Sequence, residues 1–239
     1  MSTRATGSSC CRGADVTAED FRLVAFTLRV AALSTALLLV PGIACGWVLA
    51  RWRGPGRGFV ETLLSLPLVL PPTAVGLALL WALGARSPLG RALAARGFEI
   101  VFTWKGVLAA TMAMSFPLMV RSARTAFEEV DPRLVGIART LGCGPFAAFF
   151  RVALPLARRG ILSGTVLAFT RALGEFGATV MVAGNIPGRT QTLALAIFAE
   201  NQAGRDGHAA ALAGLAAALA FAALLAADVL ARRRGRDEP

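Results

Sequence analysis

The sequence predicts an all-α, polytopic membrane protein with about five transmembrane helices. Of its 239 residues, 56% are hydrophobic and only 16% are charged. The charged share is well below the level of about a quarter that is usual in soluble domains. Five apolar stretches, each long enough to cross a bilayer as a helix, divide the chain.

The five predicted spans cover approximately residues 30–50, 60–83, 101–120, 161–183 and 209–230. At a rise of about 1.5 Å per residue, about 20 residues cross the hydrocarbon core. The second span contains the stretch "LPLVLPPTAVG", in which Pro67, Pro71 and Pro72 predict a kinked helix. Such a kink serves either packing against a neighbour or the lining of a pathway. In the third span, Trp104 and Lys105 suit the membrane interface.

The fourth span contains charged residues at membrane depth. In "RALGEFGATV", Arg171, Glu175 and Thr179 recur every four residues, which predicts one shared helical face and an ion pair. Charges at this depth usually face a bundle interior or an aqueous path, so a structural pair and a pathway role both stay open. Gly174 and Gly177 leave room for another backbone to come close.

The distribution of arginines predicts the orientation. Three clusters fall on one side of a five-span chain: Arg51, Arg53 and Arg57; Arg121, Arg124, Arg133, Arg139, Arg151, Arg158 and Arg159; and Arg232, Arg233, Arg234 and Arg236. The positive-inside rule places this side in the cytoplasm and the N-terminus outside. We therefore expect a polar external tail (1–22), a transmembrane domain (23–231) and a basic cytoplasmic tail (232–239). The topology of the chain in a lipid membrane explains the net charge of +11. We therefore expect no nucleic-acid partner.

Signatures of catalysis and cofactor binding are missing from the sequence. It contains no Gly-x-x-x-x-Gly-Lys-[Ser/Thr] phosphate loop. The stretch "GCGPFA" matches a dinucleotide fingerprint, but no strand precedes it and Pro145 interrupts it. The four cysteines and one histidine lack metal-ligand spacing. We expect no catalytic residues, no metal site and no cofactor bound by this chain, which is therefore not expected to be an enzyme.

The basic segment 121–159 is predicted to form a cytoplasmic helix-turn-helix. Gly142 and Gly144 allow a sharp turn, and Pro145 suits the first position of a second helix. Leu154 and Pro155 are expected to end that helix before the next span. On these features alone, the segment is either a docking element for a soluble partner or a plain loop.

The spacing within this segment resembles a known motif. Gly142 is followed, after nine residues, by Val152 and then Leu154 and Pro155. This resembles the cytoplasmic motif Glu-Ala-Ala-x3-Gly-x9-Ile-x-Leu-Pro of ABC-importer permeases. The stretches "LPLVLPPTAVGLALL", "FTWKGVLAATMAMSFPLMVRSARTAFEEVDPRL" and "LAFTRALGEFGATVMVAGNIPGRTQTLALAIF" resemble the molybdate branch of that family. The resemblance extends over about residues 24–230.

The resemblance implies the permease subunit of an ATP-driven importer in the bacterial cytoplasmic membrane. It implies a homodimer that translocates molybdate, a separate pair of ATPase subunits that bind ATP and Mg, and an external substrate-binding protein. Contact with the ATPase is implied for Gly136, Ala138, Leu141, Gly142, Val152, Leu154 and Pro155. For the translocation path we expect Arg171, Glu175, Thr179, Pro71 and Pro72.

One position departs from the family motif. Its opening Glu-Ala-Ala falls on Gly136, Ile137 and Ala138, so glycine replaces the acidic residue. Glu128, Glu129 and Asp131, one to two turns upstream, are candidate substitutes.

Two other functions stay open from the sequence. The first is a permease of the same family that carries sulfate or tungstate. The second is a protein of a different class, a non-transporting intramembrane enzyme or assembly factor.

Overall fold

The structure, a computed structural model, describes residues 17–236 and the side chains of residues 17–225. Every regular element within residues 17–236 is helical, which confirms the predicted all-α class. Most of the predicted tail 1–22 and the side chains of the predicted tail 232–239 lie outside the described part. Residues 18–22 are helical, so the first helix begins earlier than the predicted tail boundary.

Twelve elements follow one another within the described residues. They are α1 (Ala18–Arg51), α2 (Arg57–Val69), α3 (Pro72–Leu83), α4 (Pro88–Ala94), α5 (Trp104–Glu128), α6 (Pro132–Thr140), α7 (Pro145–Ala148), a π-helical turn (Phe149–Ala153), α8 (Leu154–Leu173), α9 (Gly177–Ala183), α10 (Leu193–Gln202) and α11 (Asp206–Arg236).

The long helices α1 and α5 pack together and run in the same direction. Gly42 of α1 lies against Met119 of α5. One turn further along both helices, Gly46 lies so close to Ala123 that an added Cβ would fall 2.6 Å from the Ala123 Cβ. Small residues at this interface let the two backbones approach closely. Both helices therefore end on the same side of the bundle.

The helix α8 runs antiparallel to α5 and begins on that same side. Gly160 lies against Ala126, and Gly164, further along α8, lies against Ser122, earlier in α5. We call this side, where α1 and α5 end and α8 begins, the basic end, because two of the predicted arginine clusters lie there. The helix α11 begins at the opposite end, where His208 lies 3.2 Å from Asp20 at the start of α1.

Between residues 17 and 236, the chain crosses the bundle five times when the bent pair α2 and α3 is taken as one crossing. Four helical stretches are long and apolar enough to span a membrane, namely Ala18–Arg51, Trp104–Glu128, Pro145–Leu173 and Asp206–Leu225. The pair α2 and α3 supplies the remaining crossing. It starts at the basic end, where Arg57 pairs with Glu128. It finishes at the opposite end, where Leu80 of α3 lines the same cavity as Phe102, just before α5 begins.

The second span is broken, whereas the sequence predicted a kink within one helix. The axes of α2 and α3 differ by 109°. Leu70 is extended, with a ψ of 146°, and Pro71 follows with a ψ of 133°. Neither Pro71 nor Pro72 has an amide hydrogen to continue the helix, and a proline disfavours helical geometry in the residue before it. Two consecutive prolines therefore end α2 completely.

The third and fourth spans also differ from their predicted bounds. The helix α5 continues to Glu128, about two turns beyond the predicted end at residue 120. The fourth span was predicted as one helix over 161–183, but α8 ends at Leu173 and α9 starts at Gly177. Arg171 and Thr179 therefore lie on different helices, and the prediction of one face shared by Arg171, Glu175 and Thr179 is wrong.

Candidate coupling segment and translocation path

The predicted turn between two helices lies between α6 and α7. Gly142 has a φ of +88°, a conformation that glycine adopts without the steric penalty of other residues. Its amide donates a hydrogen bond to the Arg139 carbonyl at 3.1 Å, and the Cys143 amide donates to the Ala138 carbonyl at 3.0 Å. These two bonds form a Schellman motif, which satisfies the last carbonyls of α6. The turn predicted at Gly142 is confirmed.

The end of this helix-turn-helix was predicted incorrectly. Pro155 does not end the second helix, because the chain stays helical from Pro145 to Leu173. A π-helical turn at Phe149–Ala153 leads directly into α8. In a regular α-helix, Pro155 would clash with the carbonyl four residues earlier and leave it unbonded. The wider π turn accommodates the proline without breaking the helix.

Aromatic rings hold the segment against the long helices. Trp47 of α1 packs edge-on against Phe127 of α5 and Phe149 of the π turn, with ring centroids 5.0 and 4.9 Å away. The Arg51 guanidinium lies 4.1 Å from the centroid of the Trp47 ring. Such aromatic pairs contribute about 0.5–1.5 kcal/mol each beyond the area that they bury. The segment is therefore fixed to the ends of α1 and α5.

The outward side of the segment is apolar. Five large side chains, which we call the exposed apolar face, are Leu134, Ile137, Leu141, Phe146 and Phe150, with exposed fractions of 45, 55, 79, 79 and 61%. The first three follow helical spacing along α6 and its end, and the two phenylalanines are four residues apart. Contiguous apolar patches on an exposed surface usually mark an interaction site.

The seven predicted coupling residues divide between two sides of the segment. Ala138, Val152 and Leu154 pack into the inner cluster that also contains Val135. Gly136, Leu141 and Pro155 are exposed, and Gly142 forms the turn. Leu134, Ile137, Phe146 and Phe150 were not predicted, although the spacing of apolar residues in α6 could have indicated two apolar sides.

The three acidic residues that are candidate substitutes for the missing motif glutamate differ in the interactions that they form. Glu128 pairs with Arg57 and Arg124. The Asp131 carboxylate accepts a hydrogen bond from the Arg133 amide at 2.8 Å and caps α6. All three acids are exposed, and Glu129, just after the end of α5, is the one that neither forms an ion pair nor caps a helix among the described residues.

Arg171 and Glu175, two of the predicted path residues, form a salt bridge. Their Nη1 and Oε2 atoms are 2.6 Å apart, and the Glu175 side chain is only 2% exposed, whereas that of Arg171 is 27% exposed. The other carboxylate oxygen of Glu175 accepts a hydrogen bond from the Ala178 amide at 2.8 Å. Glu175 therefore caps α9 and also orients the Arg171 guanidinium.

The two breaks in the spans lie against each other. At Gly177, the first residue of α9, an added Cβ would fall 2.7 Å from Pro72 Cβ and 3.3 Å from the Thr73 nitrogen. At Gly76, an added Cβ would fall 2.8 Å from the Ala178 Cα. The close approach predicted at Gly177 is confirmed, whereas the space beside Gly174 is open. Interrupted helices that meet inside a membrane domain are typical of transport sites.

The predicted path residues thus cluster around paired helix breaks, though their exposure differs. Pro71 and Pro72 are exposed at the break, while Thr179 is fully buried in α9. The hydroxyls of Ser115 and Thr179, on the packed helices α5 and α9, have no hydrogen-bond partner among the described residues. Within the described part of the chain, no group of three or more His, Cys, Asp or Glu side chains could hold a metal ion.

Comparison with known sequences identifies relatives over nearly the whole chain. The family described as "binding-protein-dependent transport system inner membrane component" matches residues 42–236. The molybdenum transport system permease protein ModB of Escherichia coli strain K12 is 43% identical over 91% of this chain and 96% of its own length. The ModB of Azotobacter vinelandii is 38% identical over 87% of this chain and 92% of its own length. The sulfate transport system permease protein CysT of Salmonella typhimurium is 34% identical over 88% of this chain and 76% of its own length.

A solved structure shares the fold. The crystal structure of a bacterial ABC transporter involved in the import of alginate matches with a TM-score of 0.72 and 17% identity, over 91% of this chain and 80% of the other. The family match and the identities to the permeases lead to one conclusion. This chain belongs to the family of binding-protein-dependent transport system inner membrane components.

Proposed function

We propose that this chain is the membrane-spanning permease subunit of an ATP-driven importer that translocates molybdate. The observation that supports this most is the 43% identity to the E. coli molybdenum permease over almost the full length of both chains. The 38% identity to the Azotobacter protein adds a second relative that is a molybdenum transport permease. Transport by a permease also accounts for the charged and polar residues inside the spans.

Coupling to ATP hydrolysis is assigned to the exposed apolar face. A separate ATPase subunit binds ATP and Mg, and its surface cleft receives the apolar side chains of α6, the turn and α7. The rings of Trp47, Phe127 and Phe149 then pass movement of this segment to α1 and α5. Because Ala138, Val152 and Leu154 pack inward, they position the segment, and contact with the ATPase falls to the outward residues.

The translocation path is assigned to the two paired helix breaks. Two copies of the chain form the path between them, and an external substrate-binding protein delivers the oxyanion. Arg171 attracts the dianion, while Glu175 orients Arg171 and neutralises part of its charge. A partly neutralised cation binds the substrate weakly enough to release it, which conduction also requires in channels.

The basic end is assigned to the cytoplasm, so the N-terminus lies outside and the C-terminus inside the bacterial cytoplasmic membrane. The support is the location of the arginines of α1, α2, α5 and the coupling segment at that end. Single cysteines at Thr140 and Ala203, which are exposed at the two ends, test the orientation in a cysteine-free background. An impermeant thiol reagent should label Ala203→Cys in intact cells and leave Thr140→Cys unlabelled. The reverse pattern would overturn the assignment.

Sulfate is the second candidate substrate, because the Salmonella sulfate permease is 34% identical to this chain. Tungstate shares the tetrahedral dianion chemistry of molybdate. A competition assay separates molybdate from sulfate: vesicles with the permease, the ATPase and the binding protein should take up labelled molybdate, and excess sulfate should not reduce that uptake. Sulfate uptake that excess molybdate leaves unchanged would refute the assignment.

A further inference from the structure

Four charged side chains join α2 to the end of α5 at the basic end. We call Arg57, Glu61, Arg124 and Glu128 the ion quartet. Two of its pairs lie within one helix: Arg57 Nε is 2.6 Å from Glu61 Oε1, and Arg124 Nε is 3.0 Å from Glu128 Oε1. Two pairs cross between the helices: Arg124 Nη1 is 2.6 Å from Glu61 Oε2, and Arg57 Nη2 contacts Glu128 Oε1.

Apart from these pairs, α2 has few contacts with the rest of the chain. Among the described helices of comparable length, α2 is unusual because none of its residues is buried. An open groove of about 560 Å³ runs between α2 and α5, from Glu61 and Arg124 of the quartet to Val69 and Pro117. The ion pairs therefore tie the first two turns of α2 to α5, and the groove leaves room for the rest of the helix to tilt.

The quartet also lies between two parts of the proposed mechanism. Glu128 is the last residue of α5, and α6 of the coupling segment begins only four residues later, at Pro132. On the other side, α2 leads directly to the break at Pro71, which meets the break at Gly177. The four side chains therefore provide a direct connection from the coupling segment to the broken span.

We propose that the ion quartet is the link through which movement of the coupling segment repositions α2 and the adjoining helix break. This proposal rests on the proposed transport function and specifies how motion reaches the path. All four are positioning residues, since none of them lies at the helix breaks. Their side chains are 24–35% exposed. Water can therefore replace a partner, and the cross-helix pairs can separate and re-form during a cycle.

Exchanging charges within α2 alone tests the link. The variant Arg57→Glu with Glu61→Arg keeps the net charge and the pair within α2, but it places like charges opposite Glu128 and Arg124. We expect transport per ATP hydrolysed to fall at least about fivefold, the lower end of typical coupling between sites, while the ATPase stays bound and active. The same exchange in α5, Arg124→Glu with Glu128→Arg, should behave alike.

The quadruple exchange is the matched control, because it restores all four pairs with reversed charges. It should return transport per ATP to within about twofold of the unmodified protein, the usual deviation from additivity. Should the double variants fold poorly, Glu61→Gln removes only the pairs of Glu61 and should give a smaller loss of coupling. Unchanged coupling in the α2 exchange would overturn the proposal, and so would a folded quadruple variant that stays uncoupled. Failure of the unmodified protein to transport any oxyanion would instead refute the proposed function.

Discussion

Replacement of Gly142 tests the role of the turn between α6 and α7. The position has a φ of +88°, and nothing lies within 4 Å of an ideal Cβ there. A side chain at Gly142 would therefore meet no neighbouring atom, so a steric clash is not the reason that this position requires glycine. The penalty comes from the backbone, because left-handed geometry costs a residue with a Cβ about 1–2 kcal/mol.

This penalty converts into a shift of the local equilibrium. About 1–2 kcal/mol corresponds to a factor of about 5–30 in the ratio of native to altered turn. The penalty for Gly142→Ala should lie near the lower value. The penalty for Gly142→Val should be higher, because β-branched residues are outliers at positive φ. Gly142→Asn should be nearly neutral, since asparagine tolerates this conformation.

The assay is the amount of molybdate taken up per ATP hydrolysed in vesicles that contain the permease, the ATPase and the binding protein. We expect coupling to decrease in the order Gly, Asn, Ala, Val at position 142, with each variant still present in the membrane. Gly144→Ala is the matched control, because Gly144 lies beside the same turn with a φ of −62°, which alanine adopts without penalty, and it has open space around it. Normal coupling in Gly142→Val would refute a mechanical role for this turn.

Three further predictions concern other parts of the molecule. Phe146→Glu places a charge on the exposed apolar face and should weaken ATPase binding, measured by co-purification, without lowering the melting temperature of the permease. Arg171→Gln should destabilise the permease by about 3 kcal/mol, the lower end for a broken buried pair because Arg171 is 27% exposed, and by more than Glu175→Gln, because it leaves a buried carboxylate without its cation; equal thermal shifts would contradict this order, and unchanged transport and ATPase rates in the double Gln variant would exclude the path role. The hydrogen bond from Arg205 lowers the pKa of Glu200 to about 2, so this pair stabilises the protein fully above about pH 4.5 and loses its effect as the pH falls towards 2; Arg205→Gln should therefore lower the melting temperature at about pH 5 and lower it much less at about pH 2.5, and equal shifts at the two pH values would contradict the assignment.

The sequence predicted the helical class and the turn at Gly142 because each depends on local properties. Apolar length predicts a span, and glycine followed by proline predicts a turn and a new helix. The break at Pro71 was predicted only as a kink, since its angle depends on how α3 packs against α9. Pro155 was expected to end a helix, because local rules do not include the π turn that accommodates it.

The candidate site was predicted in part for a similar reason. Arg171 and Glu175 pair as their spacing indicated, but α8 ends at Leu173, between the two residues, and Thr179 lies on α9. Glu175 caps a new helix there, which a pattern of four-residue spacing does not reveal. Except for Leu141, the exposed apolar face was missed, because residues such as Leu134 and Phe146 are of the same apolar types as the buried residues. Only the three-dimensional arrangement shows which apolar side chains lack a partner within the chain.

Docking of the exposed apolar face to the ATPase is measured most directly by thiol protection. Leu141→Cys, in a cysteine-free permease, places the probe on the most exposed part of that face, and Ala203→Cys at the opposite end is the control. In open membrane fragments, a thiol reagent should label both probes in the permease alone, and addition of the ATPase should protect only the probe at position 141. Equal labelling of Leu141→Cys with and without the ATPase, in a complex that still transports molybdate, would contradict the coupling mechanism.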